Sequence, residues 1–184
     1  MEAGQFDARH ITAGFSLIEI LVVLTLLGIF AALGAPSLSN AVDRQRLRTA
    51  SADLISSIRL AREEAISRNQ NVVMRPASND WNGGWQVFVD ADNSGLLDAG
   101  DTLLLEERTA RLNGISATGQ LTRYIRYNAF GESEQLDGGF LAGTLRLCPQ
   151  DLQQPGQQLI INRVGRLRSE SAYLPASACV PAER

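Results

Sequence analysis

A single carboxylate, Glu19, interrupts an otherwise uncharged and largely apolar run from Gly14 to Leu33. A run of that length can cross a bilayer as one helix, and an acid inside it costs about 2.5–3.5 kcal/mol on insertion scales. Such an ion calls for a partner cation and a task. A second group is Asp90-Ala-Asp-Asn-Ser-Gly-Leu-Leu-Asp-Ala-Gly-Asp101. It sets Asp90, Asp92, Ser94, Asp98 and Asp101 at positions 1, 3, 5, 9 and 12 of a loop with Gly95 at position 6, the spacing of a calcium loop. Position 12 is Asp where that motif uses the longer, bidentate Glu, and the flanks read as strands where it needs helices. Asp, Asn and Gly also build ordinary turns, so the expectation is a solvated hairpin loop with no metal, and calcium is the alternative.

The third group is Gly165-Arg-Leu-Arg168. In extended chain Arg166 and Arg168 point to one side about 6.6 Å apart, close to the spacing of successive phosphates, and Arg163 is nearby. Guanidinium groups grip phosphate bidentately; the alternative is two arginines on a solvated strand end or against another chain. The fourth is Cys148 and Cys179, expected to form one disulfide in an oxidising compartment and to contribute about 3–4 kcal/mol by closing their loop. Two unpaired buried thiols are the other reading.

Composition removes several kinds of chemistry. All 17 basic residues are Arg, and the one histidine is His10. Beyond residue 14 the chain has neither His nor Lys, and its formal charge of −3 becomes −2 when Glu2, Asp7 and Arg9 are left out. That excludes Ser-His-Asp and Cys-His nucleophiles, His-ligated zinc and Schiff-base lysines. With no carboxylate pair standing out, neither enzymatic activity nor a cofactor is expected. Bulk charge gives no support to nucleic-acid binding.

The elements that must position these groups follow from periodicity. Leu47, Ser51, Leu54, Ile58, Ala61 and Ala65 recur at three- and four-residue spacing while Arg44, Arg48, Arg59, Arg62 and Glu63 fall elsewhere. This predicts an amphipathic helix that continues the apolar run to about Arg68 and packs on its own domain; lying on a membrane surface is the alternative. Pro36 predicts a kink or a melted turn. From Asn71 the period becomes two, predicting strands over 71–75, 84–90, 102–106, 122–127, 140–147 and 157–163. The segment 175–184 reads as irregular except where Cys179 anchors it. The fold class is therefore α+β, with a long N-terminal helix packed on an antiparallel sheet or sandwich. Its segments are 1–14, then 15–34 for the membrane, 35–68 for the amphipathic half and 69–184 for a β-rich head.

Gly14-Phe-Ser-Leu-Ile-Glu19 resembles the processing site of type IV prepilins. The resemblance implies a leader of residues 1–14 removed after Gly14 by prepilin peptidase and methylation of the new terminal Phe15. It also implies pairing of Glu19 with the terminal amine of a neighbouring subunit during assembly. The order of elements, together with Ala61-Arg-Glu-Glu-Ala-Ile-Ser-Arg68, Gly84-Trp-Gln-Val-Phe-Val-Asp90, Tyr127-Asn-Ala-Phe-Gly131 and Gly165-Arg-Leu-Arg168, is similar to the FimT/FimU/GspH group of minor pilins and pseudopilins. That implies a type IV pilin-like fold, a single-pass inner-membrane anchor with a periplasmic head, and incorporation near a filament tip beside other minor and major pilins. In FimT-like proteins a C-terminal Gly-Arg-x-Arg is associated with double-stranded extracellular DNA during natural transformation, which implies such a role for Gly165, Arg166 and Arg168, with Arg163 beside them. The alternative is a GspH-like minor pseudopilin of a type II secretion system that binds no DNA.

Overall fold

The structure, a computed structural model, describes residues 16–108 and 114–179. Helix α1 (Leu17–Arg68) ends where the apolar stripe ends. It is helical through Pro36, so the melted turn expected there is absent. A proline forfeits one backbone bond, but extending a formed helix requires no new nucleus, and helix on both sides carries the turn through.

The chain divides into two compact units, Met1–Ser39 and Asn40–Arg184. In the first, Leu17, Ile18, Ile20, Leu21, Leu24 and Phe30 are all exposed, so apolar side chains emerge on every side of the helix. A helix of that kind is ordinarily covered by lipid or by other chains. Among the described residues no helix is long and apolar enough to cross a membrane, and the run 15–34 has side chains outside the described set at both ends.

In the second unit, the described residues form two antiparallel four-stranded sheets. The strands are β1 (Val72–Pro76), β2 (Trp85–Val89), β3 (Thr102–Glu107), β4 (Gly114–Ala117), β5 (Ile125–Tyr127), β6 (Gly143–Cys148), β7 (Gly156–Ile161) and β8 (Leu167–Ala172). The first sheet runs β3-β2-β1-β5 and the second β4-β6-β7-β8. Strands β4 and β8 were not expected from sequence. The start of the expected 122–127 strand is taken up by a short 3-10 turn over Gly119–Thr122, which leaves β5 three residues long.

Burial assigns the faces. Val72, Val73 and Met74 are consecutive and all fully buried, so both faces of the first sheet are covered. In the second sheet, buried Leu145, Leu147, Leu159 and Ile161 alternate with half-buried Thr144, Arg146, Gln158 and Ile160; one face is core and the other faces outward. Leu47, Ser51, Leu54, Ile58, Ala61 and Ala65 on α1 are all buried, as their spacing requires, and the apolar ones share one core with both sheets. Ser57 belongs to this stripe because its Oγ accepts the indole N–H of Trp85 at 2.8 Å.

Candidate functional site

The Gly165-Arg-Leu-Arg168 segment begins in the turn that joins β7 to β8. Gly165 donates to the Asn162 carbonyl at 2.9 Å, Asn162 N–H donates to the Arg166 carbonyl at 3.2 Å, and Asn162 Oδ1 accepts the Arg166 N–H at 2.9 Å. At φ +75° Gly165 lies in the left-handed region, and a Cβ there would stand 2.2 Å from the Gly131 carbonyl oxygen and 2.9 Å from Tyr127 Cε1. Only glycine fits that pairing of backbone angle and close approach.

The neighbour that crowds it is the turn 128–131, in which Asn128 Oδ1 accepts the N–H groups of Phe130 and Glu132 at 3.0 and 3.1 Å. Arg62, from α1, ties the two turns together. Its Nε donates to the Gly131 carbonyl at 2.9 Å and one terminal nitrogen to the Val164 carbonyl at 3.4 Å. Ser133 Oγ donates to the Asn162 carbonyl at 2.7 Å, and Tyr127 Oη reaches the Gly165 carbonyl at 3.4 Å. Burial pushes the Tyr127 phenol well above its ordinary range, with Arg62 opposing the rise, so this hydroxyl stays protonated and can donate. Three segments far apart in sequence, from α1, 127–131 and 165–168, meet at one point.

Arg166 and Arg168 are both exposed and, with Ile160 and Asn162, line one open groove of about 340 Å³ on the outer face of the second sheet. Arg168 also pairs with Glu170 at 3.2 Å, with side chains 65% and 43% exposed. An exposed pair of this kind contributes about 0–1 kcal/mol, so it does not withhold Arg168 from another anion. Arg163 stands apart from the pair: it lines a separate depression with Val164, Phe140, Asn128 and Glu132.

Of the acidic-loop residues, Asp90, Asp92 and Asp101 come together, with carboxylate oxygens within 4.8 Å of one another. Asp98 and Ser94 are turned to local backbone: Asp98 Oδ1 accepts from Gly100 at 3.0 Å, and Ser94 Oγ accepts from Leu96 at 3.1 Å. The converging carboxylates are similarly engaged. Asp101 accepts from Ala91 and Asp98, Asp92 from Ser94, and Asp90 from Gly95. Burial raises the pKa of Asp90 against the lowering effects of Gly95 and Arg126, while the hydrogen bonds from Ser94 hold Asp92 below the usual carboxylate range. The buried guanidinium of Arg126, on β5, lies 3.9 Å from Asp90 and 3.6 Å from Glu134, so the loop already faces a countercharge.

Glu19 lies exposed in the first turn of α1. Gly14 and Phe15 lie outside the described residues. Cys148 and Cys179 are bonded, with Cα atoms 5.7 Å apart; with Leu174 they form a small separate cluster that Leu152 and Ala172 border.

Residues 50–165, more than half of the chain, match the family model described as Type II transport protein GspH. The chain belongs to the FimT/FimU/GspH family of type IV minor pilins and pseudopilins. Residues 9–35 of the chain match the prokaryotic N-terminal methylation motif. It is 35% identical over 88 residues to the Pilin-like protein PilA1 of Thermus thermophilus, covering 48% of this chain and 54% of the relative. It thus spans about half the length of that curated relative. Two crystal forms of the type IV minor pilin FimU of Pseudomonas aeruginosa share its fold. Their TM-scores are 0.56 and 0.53 at 23% and 21% identity, covering 74% and 72% of this chain and 97% and 99% of the FimU chains.

Two supporting residues escaped sequence reasoning. Arg62 reads as one more charge on a helix surface, yet it is half-buried and serves partners 69 and 102 residues away. Arg126 reads as the polar position of a strand, but it is buried between the acidic loop and Glu134; the excess of carboxylates in that loop was the available signal.

Proposed function

We propose that this minor pilin is cut after Gly14 by prepilin peptidase, methylated on Phe15, and held in the bacterial inner membrane by residues 15–34 with its head in the periplasm. It then enters a pilus beside other minor and major pilins, with Glu19 neutralised by a neighbour's terminal amine. On the assembled filament, Arg166 and Arg168 contact phosphates of double-stranded DNA. The observation that carries the DNA reading is that both arginines line one open groove beside a turn held by Gly165, Arg62 and Ser133. Phosphate-dominated binding of this kind is weakly sequence-dependent and strongly salt-dependent.

A second reading, a GspH-like pseudopilin of a type II secretion system without a DNA role, is favoured by one observation: Arg168 already has an acidic partner in Glu170. Fluorescence anisotropy of labelled duplex DNA against the unit from Asn40 onward, at low and moderate salt, separates the two. Each phosphate contact contributes about −0.9 to the slope of log K against log salt, so the Arg166→Ala, Arg168→Ala double variant should lose about 1.8 from the slope. No binding, or the same binding by both proteins, refutes the role of the arginine pair and leaves assembly as the function.

The acidic loop is read as closed by its own backbone and Arg126, not by calcium. The head's melting temperature should be indifferent to millimolar calcium, and a calcium-dependent rise would overturn that reading.

A further inference from the structure

We infer that Arg146 is a third phosphate contact, and that with Arg166 and Arg168 it makes the outer face of the second sheet a track for both strands of a duplex. The inference rests on the phosphate-binding reading of the arginine pair and extends it to a residue from a different strand.

The register places Arg146. On β6 it lies between fully buried Leu145 and Leu147, so its side chain leaves by the opposite, outward face. Across the sheet, Arg146 pairs with Gln158 and Gln158 with Glu170, while Thr144 pairs with Ile160 and Ile160 with Arg168. Arg146 and Arg168 therefore share a face, two strands and one same-side step apart, about 12 Å between Cα atoms by strand spacing and rise.

The surroundings suit an anion. Among the described residues of these two rows, Glu170 is the one acid, whereas Arg146 and Arg168 lie there and Arg166 lies just beyond the end of β8. The face carries a local positive excess on a chain whose formal charge is −3. Its far side is closed by the chain's own C-terminal segment: Ser116, opposite Arg146 on β4, donates from Oγ to the Ala178 carbonyl, and the Cys148–Cys179 bond fastens that segment to the end of β6. Between that segment and β8 the register sets Arg146, Gln158, Ile160 and Arg168 on the same outward face.

The spacing distinguishes partners. Arg166 and Arg168, two residues apart, match successive phosphates of one strand. Arg146 is offset sideways by two strand widths, which suits a phosphate of the complementary strand across the minor groove, about 6 Å of clear width. A single strand can engage the pair but has no second backbone to present to Arg146.

The test uses the full chain in nonionic detergent micelles with a labelled duplex of mixed sequence, about two helical turns long, and one of its single strands. It compares wild type, Arg146→Gln, Arg146→Lys, the Arg166→Ala, Arg168→Ala double variant, and Arg59→Gln as an exposed helix control. Arg146→Gln should lower the duplex salt slope by about 1 and leave single-strand affinity almost unchanged. Arg146→Lys should restore the slope. An Arg146→Gln slope equal to that of Arg59→Gln, with binding still lost in the double variant, overturns the role of Arg146 and leaves the pair standing. Failure of Arg146→Lys to restore the slope overturns it too, since a merely structural role would not follow charge. Absence of duplex binding by the wild type overturns both readings.

Discussion

Replacing Gly165 by alanine tests the claim that the arginine turn is held by crowding as well as by backbone angle. Two effects act there. The left-handed conformation at φ +75° costs an L-residue about 1–2 kcal/mol, and the narrower unfolded ensemble of alanine returns about 0.4–1 kcal/mol. To this is added the collision, with a Cβ 2.2 Å from a backbone oxygen that belongs to another turn; overpacking of this kind costs about 1–3 kcal/mol. The net loss should be about 1–4.5 kcal/mol. Gly119 is the internal control, because it also has positive φ, +57°, but nothing within 4 Å of its added Cβ. Gly119→Ala should therefore cost about 0–1.5 kcal/mol. Urea denaturation of the unit from Asn40 onward, followed by tryptophan fluorescence, gives both values; in thermal melts the two variants should differ by about 2–12 °C at this size. If both lose the same stability within about 0.5 kcal/mol, the turns have room to part and the crowding argument is wrong.

Three further outcomes are expected. Reducing the Cys148–Cys179 bond, whose partners are 31 residues apart, should cost the head about 3–4 kcal/mol, read as a shift in urea midpoint with and without reductant; an unchanged midpoint would show that the C-terminal segment holds by packing alone. Asp90 sets a pH dependence. Its folded pKa is raised by burial above the ordinary 3.8, so the folded state binds the proton more tightly and stability is lost as pH rises from that value through the folded pKa. Relative to Asp90→Asn, the wild type should lose stability as pH rises through that window, and parallel curves would remove the assignment. Glu19→Val should leave the head's melting curve unchanged while abolishing incorporation into filaments, scored by immunoblotting sheared pili; normal incorporation would mean the carboxylate has no partner amine.

The legible parts of the fold were those where burial is periodic. The stripe from Leu47 to Ala65 was readable because each member faces one core, and β1, β2, β3 and β7 were readable as apolar runs or alternations between turn residues. β8 was not, because Leu-Arg-Ser-Glu-Ser-Ala forms an edge and is exposed over most of its length, leaving no apolar face to register. β4 is four residues beginning at a glycine, too short for a period to show. The arginine pair was legible from its spacing, since two arginines two residues apart are a local fact of the chain. The parts that position it were not: Arg62, Ser133 and Gly131 are brought to the turn by the tertiary fold, and no window of sequence contains them all. At Pro36 the turn did not melt for the opposite reason, a local rule overridden by the helix on either side.

The interlocked turns change what a sequence motif can diagnose. A side chain at Gly165 would have to displace the Gly131 carbonyl, and one at Gly131, itself at φ +73°, would have to displace Ile66 and Arg62, so descent within this fold should preserve the two glycines in subunits that touch nucleic acid and in subunits that do not. A glycine before an arginine near the C-terminus is then a mark of shared architecture. The informative variation lies in positions the scaffold leaves free, Arg166, Arg168 and Arg146, where a change of charge leaves the packing almost untouched and alters only what the surface attracts.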